Sequence, residues 1–96
     1  RSLSVGTFHD GRGELHGITV VVDTTGPEIW VGRCDTMDGG RIVLFQADRH
    51  DASEGPSKDE WVKRAAMVGF HPRHERVAID LETVASVKRL AEIEAV

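Results

Sequence analysis

Short apolar runs alternate with turn residues through the first half of the chain, a pattern typical of consecutive antiparallel strands. The runs are rich in β-branched residues and predict strands at 17–23, 28–35 and 41–48. Asp38-Gly39-Gly40 predicts a tight turn between the last two, because glycine readily adopts positive φ. Nearer the start, residues 3–7 alternate as another strand, and Asp10-Gly11 predicts a hairpin after them.

A capped amphipathic helix is predicted in the second half, over residues 58–68. Ser57 and Glu60 have the spacing of a capping box, in which each side chain bonds the other residue's backbone N–H. Gly69 suits the position after the helix, and Pro72 prevents its continuation. We expect the helix to cover the sheet by burying three side chains, Trp61, Ala65 and Val68, against Val20, Val22, Val31, Val43 and Phe45.

The C-terminal third contains a further strand and an ambiguous tail. Residues 76–81 alternate between polar and apolar side chains, which predicts a strand. The tail, residues 83–95, fits either a helix capped by Asp80 or a short turn and strand that would complete a small barrel. The fold class is therefore mainly β to α+β: a bent antiparallel sheet or small barrel of about five strands with one central helix.

Composition limits the classes of protein that this chain can represent. The 96 residues allow one domain, 1–96, and no apolar stretch approaches the roughly 20 residues that span a bilayer, so no membrane partner is expected. The formal net charge is −4, which disfavours nucleic acid as a partner, although residues 58–76 hold five basic and three acidic side chains. The single cysteine, Cys34, cannot form an internal disulfide, so we expect a cytoplasmic protein.

Two sets of side chains could bind a ligand. A nucleic acid or protein partner would contact exposed basic or aromatic residues, for which the candidates are Trp30, Lys63, Arg64, Arg73, Arg76, Lys88 and Arg89. A metal could be held by His71 and His74, three residues apart, with a third ligand from Cys34, Asp35, Asp38, His50 or Asp51. The glycine-rich turns match neither a phosphate loop nor a dinucleotide motif, so no cofactor is expected. No catalytic residues are assigned, since Cys34 reads as a small apolar strand residue.

The order of strands and turns resembles the Sm-like and SH3-like small barrels. Three meander strands (17–23, 28–35 and 41–48) precede Val77-Ala78-Ile79-Asp80-Leu81-Glu82-Thr83-Val84-Ala85-Ser86-Val87, which is similar to the strand, one-turn helix and final strand of those families. The chain differs in its helix at 58–68, where the Sm-like family has a short loop, and in lacking a helix before the first barrel strand. No Asp/Asn-rich RNA-contact motif of the family maps onto it, so the resemblance implies the fold without RNA binding.

Three functions are compatible with these observations. The first is a non-catalytic interaction module, homo-oligomeric through an exposed strand edge that residues 3–8 of a neighbouring subunit could cover. The second is a nucleic-acid-binding Sm-like protein that uses the basic residues named above. The third is a metal-binding or enzymatic domain built on His71 and His74.

Overall fold

The structure, a computed structural model, describes residues 16–93 of the chain. The expected strand at residues 3–7 and the hairpin at Asp10-Gly11 lie outside the described residues. The five strands are β1 (Thr19–Thr24), β2 (Glu28–Asp38), β3 (Arg41–Asp51), β4 (His74–Asp80) and β5 (Val84–Arg89). The single α-helix described is α1 (Lys58–Val68), and short 3-10 turns occupy Ala52–Glu54, Leu81–Thr83 and Leu90–Glu92.

All five strands form one antiparallel sheet in the order β4-β3-β2-β1-β5. The turn between β2 and β3 is as predicted: Gly39 and Gly40 have φ of 62° and 77°, a region that glycine enters without steric cost. Register shifts interrupt the β2–β3 and β1–β5 ladders. Such bulges increase local twist and bend a sheet, which agrees with the expected bent sheet of about five strands.

The inner face of the sheet encloses the larger of two apolar clusters. Its buried residues come from every strand: Val20, Val22, Cys34, Met37, Ile42, Leu44, Ala47, Ile79 and Val84. Since both edge strands contribute, the sheet curls around this cluster. Ile42 and Leu44 lie in it, whereas the intervening Val43 is buried outside it, so the apolar run of β3 is buried on both faces.

The opposite face of the sheet, called the helix face below, is covered by α1. Val21, Ile29 and Val31 pack there against Val62 and Ala65 of the helix. The prediction that the helix covers the sheet is therefore correct, and so is the contact with Val31. The helix makes few other contacts with the sheet, which leaves part of this face uncovered.

Several expected contacts of the helix are wrong. Val20 and Val22 lie on the inner face, because neighbouring residues of a strand alternate sides and Val21 is the one beneath α1. Val68 is 74% exposed. The buried side of α1 is centred between Val62 and Ala65, and at 3.6 residues per turn Val68 lies about 90° from that direction.

The beginning of α1 is fixed both by its own cap and by the sheet. The capping box is present: Glu60 N–H donates to Ser57 Oγ (3.2 Å), and Ser57 N–H donates to Glu60 Oε1 (3.2 Å). Lys58 Nζ donates to Asp23 Oδ1 (2.6 Å) and to the carbonyls of Thr24 (2.9 Å) and Gly26 (2.6 Å). The first turn of the helix is therefore hydrogen-bonded to the β1–β2 turn.

Among residues 16–93 no helix is long and apolar enough to cross a membrane.

The tail forms a strand and a 3-10 turn, so its helical alternative is wrong. Val84 is buried in the inner cluster and Val87 packs against it from β5. Leu90 and Ile93 instead reach the helix-face cluster. The apolar residues of the tail thus serve two different surfaces, which explains why they do not form one helical stripe.

Candidate functional site

The two outer strands of the sheet, β4 and β5, present the first candidate for an interaction. Within residues 16–93 no further strand pairs with the outer side of either one. An outer strand carries backbone N–H and C=O groups that another chain can pair with. The two edges are different surfaces of the same molecule, so they could join copies head to tail.

The direction of the backbone groups in β4 follows from one hydrogen bond. Leu81 N–H donates to the carbonyl of Gly40 (2.9 Å), across the β3–β4 ladder. Since N–H groups alternate sides along a strand, those of Ile79 and Val77 also face β3. The N–H of Ala78 therefore points to the open edge, and its side chain is exposed.

A row of three side chains across the helix face forms the second candidate. Arg33 of β2 lies opposite Phe45 of β3, and Phe45 lies opposite Arg76 of β4. Their strand neighbours Cys34 and Leu44 belong to the inner cluster, so the row projects from the helix face, beyond the part that α1 covers.

These three residues line a groove of about 790 Å³, which we call the basic groove. Its other lining residues are Gln46, Arg73, His74 and Glu75. A side-chain hydrogen bond from Arg33 to Gln46 holds that guanidinium in place. Arg73 Nη1 lies 4.0 Å from the buried carboxylate of Asp48. The groove thus combines an aromatic side chain with three guanidinium groups, two of which have positioning partners.

The seven predicted contact residues do not form one surface. Only Arg73 and Arg76 share the basic groove. Lys63 and Lys88 lie together in another depression, on the side of α1 towards β5. Arg89 Nη1 is 3.9 Å from Glu92 Oε2, as part of an ion pair along the chain.

Trp30 does not itself line the basic groove. It projects from the face opposite Ile29 and Val31, where it packs half-buried against the inner cluster. Its ring meets that of His74 edge-on, with 5.2 Å between the centroids. Trp30 therefore bridges β2 and β4 within the curl of the sheet.

Arg33 and Phe45 are the functional candidates that the sequence did not predict. Phe45 was expected in the core, yet it is half-buried and belongs to neither apolar cluster. The signal that identifies both residues is the strand register, which places them beside Arg76.

No three His, Cys, Asp or Glu side chains come together as a metal site anywhere between residues 16 and 93. His71 lies in the groove at the end of α1, and His74 rests against Trp30. His50 stacks on Trp61, with 5.2 Å between the ring centroids, and its Nε2–H donates to the carbonyl of Pro56 (2.7 Å).

Cys34 is buried on the inner face, as expected for a small apolar residue of a strand. Burial raises the pKa of the Cys34 thiol above its usual 9.0, and the neighbouring carboxylate of Asp35 raises it further. Arg33 projects from the other face and does not counteract this effect. A protonated, buried thiol is a poor nucleophile.

We expect the Cys34 thiol to react with a thiol reagent at pH 8 at least about a thousandfold more slowly in the folded protein than in denaturant, because only the unfolded fraction exposes it.

The raised pKa of Cys34 also means that the folded state favours the protonated thiol. This contribution to stability is fully present below about pH 9 and is lost as the pH rises through the folded-state pKa. The kinetics of the thiol reagent measure the reaction rate. Urea denaturation as a function of pH, with Cys34→Ala as control, measures the contribution of the thiol to stability. Equal reaction rates with and without denaturant would contradict the prediction.

Comparison with known proteins identifies the architecture. No protein-family model matches the sequence, and no curated protein matches it significantly. An Sm protein of Pyrococcus abyssii, solved in complex with a uridine heptamer, superposes with a TM-score of 0.57 at 16% identity, over 93% of this chain and 97% of that one. The fold is Sm-like.

Two further structures match over less of the chain, and one of them is an Sm protein. A heptameric archaeal Sm protein gives a TM-score of 0.54 at 14% identity, over 88% of this chain and 96% of that one. A chain of the NatC complex bound to CoA gives 0.54 at 17% identity, over 79% of each chain. Identities this low establish the Sm-like fold alone, so function has to be argued from the surfaces described above.

Proposed function

We propose that this Sm-like domain is a non-catalytic interaction module that assembles with copies of itself through the open edges of β4 and β5. The observation that carries the proposal is the open curled sheet, in which no strand of residues 16–93 pairs with the outer side of β4 or of β5. Joining unlike edges head to tail generates a closed ring when the rotation between copies closes. A structurally similar archaeal Sm protein is heptameric, which supports such an arrangement.

Backbone pairing between copies needs outward-facing N–H groups, and Ala78 offers one in the middle of β4. Proline lacks the N–H but is tolerated on a strand edge, where no internal ladder bond is lost. Ala78→Pro therefore removes a donor from the intermolecular ladder and leaves the β3–β4 ladder intact. Valine keeps the N–H and suits a strand, which makes Ala78→Val the matched control.

We expect the wild type and Ala78→Val to sediment as a multiple of 10.5 kDa, and Ala78→Pro to sediment as a monomer with unchanged circular dichroism. Analytical ultracentrifugation over a concentration series measures this. A monomeric wild type, or a folded Ala78→Pro that assembles like the wild type, would refute the proposal.

A second function, binding of single-stranded RNA, is favoured by the basic groove. Aromatic rings bind bases by stacking, and arginines neutralise phosphates and can stack as well. Phe45 between Arg33 and Arg76 provides both in one row. The similar Pyrococcus protein was solved with a uridine heptamer, which makes oligouridylate the natural probe.

For this second function we expect Arg76→Glu to weaken binding of a fluorescein-labelled oligouridylate at least about tenfold, and Lys63→Glu to leave it within about twofold, because Lys63 lies outside the groove. If three phosphates are neutralised, log K should fall against log salt with a slope of roughly −2. Fluorescence anisotropy at several salt concentrations measures both effects. Equal losses in the two variants would indicate diffuse attraction without a defined groove.

A further inference from the structure

A second groove, of about 370 Å³, lies at the C-terminal end of α1 and is called the helix-end groove here. Its apolar lining comes from Trp61, Ala65 and Val68, which recur along one side of α1, and from Phe70 just after it. Val68 is exposed in this position although it is a large apolar residue. Neighbouring Met67 is also exposed, at 64%, but does not line the groove.

The rim of the helix-end groove is positively charged. Arg64 and Arg73 both line it, and the side chain of Arg73 is 69% exposed. Asp48 lies beneath with a side chain only 8% exposed, so its charge positions Arg73 from the protein side and offers little surface to a ligand. On a chain of net charge −4, this rim is a local concentration of positive charge, which complements an acidic surface.

The lining favours a peptide over a nucleic acid base. Base stacking needs a free aromatic face, and one face of Trp61 is already occupied by the ring of His50. The apolar lining from the helix is otherwise aliphatic, from Ala65 and Val68, with Phe70 just after the helix, and this surface suits a branched aliphatic side chain. Clefts that bind small ligands typically measure roughly 300–1,000 Å³, and this groove is within that range.

We propose that the helix-end groove binds an acidic peptide segment of a protein partner, with a bulky aliphatic side chain of the segment against Val68 and its carboxylates against Arg64 and Arg73. The proposal rests on the function as an interaction module and names the chemistry of its partner. It does not depend on assembly through the strand edges, because the groove lies within one copy of the chain.

The probe is a blocked hexapeptide with two central leucines flanked by aspartate and glutamate, titrated into the full chain by calorimetry. One control peptide has serine for leucine, and the other has lysine for the acids. We expect each control to bind at least about tenfold more weakly. On the protein, Val68→Ser and Arg64→Glu should each weaken binding by a similar factor, which corresponds to about 1.4 kcal/mol.

Matched variants separate the groove from general effects of charge and exposure. Met67→Ser and Lys63→Glu change an exposed apolar and an exposed basic residue on the same helix, outside the groove, and should alter affinity less than about twofold. No binding of the acidic peptide, equal binding of the lysine peptide, or equal losses in all four variants would overturn the proposal. Binding of oligouridylate that is abolished by Val68→Ser would also overturn the proposal.

Sedimentation of the same samples distinguishes this result from that of assembly. A monomer that binds the peptide through Val68 and Arg64 would refute the ring and support the groove. An assembled wild type that binds no peptide would support the ring and refute peptide binding in the helix-end groove.

Discussion

Val62→Asp is expected to lower the free energy of unfolding by about 4 kcal/mol, and Val68→Asp by less than about 1 kcal/mol. Both substitutions place the same charge on α1. Val62 is 5% exposed and packs among apolar side chains of the helix face, where a carboxylate would lose most of its hydration. Val68 is 74% exposed, so aspartate there stays solvated.

Urea denaturation followed by circular dichroism gives both free energies. Tryptophan fluorescence in a Trp30→Phe background, where Trp61 is the single tryptophan, reports whether α1 still lies on the sheet. Val68→Asp is the control for introducing the same charged side chain on α1 at an exposed position. Similar costs for the two variants would show that α1 is not docked through Val62. The difference between the two free energies of unfolding measures how much the packing of α1 on β1 and β2 contributes to stability.

Gly32→Ala is expected to destabilise the protein by about 3 kcal/mol. A Cβ at Gly32 would lie 2.7 Å from Ala47 Cβ, 2.9 Å from Ala47 Cα and 3.2 Å from Leu44 Cβ. Ala47 and Leu44 are both fully buried on the inner face, so neither can move without disturbing the packing of β3. The cost arises from overpacking, because the backbone of Gly32 does not require positive φ.

Gly55→Ala is the control for this substitution. Gly55 has an extended φ of 174°, and the nearest atom to an added Cβ is His50 Cε1 at 3.8 Å, an ordinary contact. We expect its effect to be within about 0.5 kcal/mol of zero or slightly stabilising, since alanine also restricts the unfolded chain. Thermal or urea denaturation compares the two, and equal stability of Gly32→Ala and wild type would contradict the close approach of β2 to β3.

The sequence predicted those elements whose cause is local. The capping box of Ser57 and Glu60 marked the start of α1, because both partners lie within one helical turn. The Gly39-Gly40 turn was equally clear, since its φ values depend on the residues themselves. The Sm-like order of strands was also visible, because runs of β-branched residues and turns alternate along the chain.

Contacts between elements were less predictable. Residues of neighbouring strands meet according to register, and the shifts in β2–β3 are invisible in the sequence. That is why Phe45 was assigned to the core, and why Arg33 was not among the candidate residues. The predicted set of basic residues was divided for the same reason, since Lys63 and Arg76 are separated by the position of α1 on the sheet.

The sequence by itself determined the three consecutive meander strands, the capped helix and the absence of an internal disulfide, because each depends on residue type or on spacing along the chain. Tertiary structure alone decided that the tail is a strand, that Val62 rather than Val68 is buried, and that Phe45 lies between two arginines. These features depend on which face each strand and helix turns towards its neighbours. The direction in which each side chain points is fixed when the sheet curls around its inner cluster and α1 packs on the remaining apolar surface.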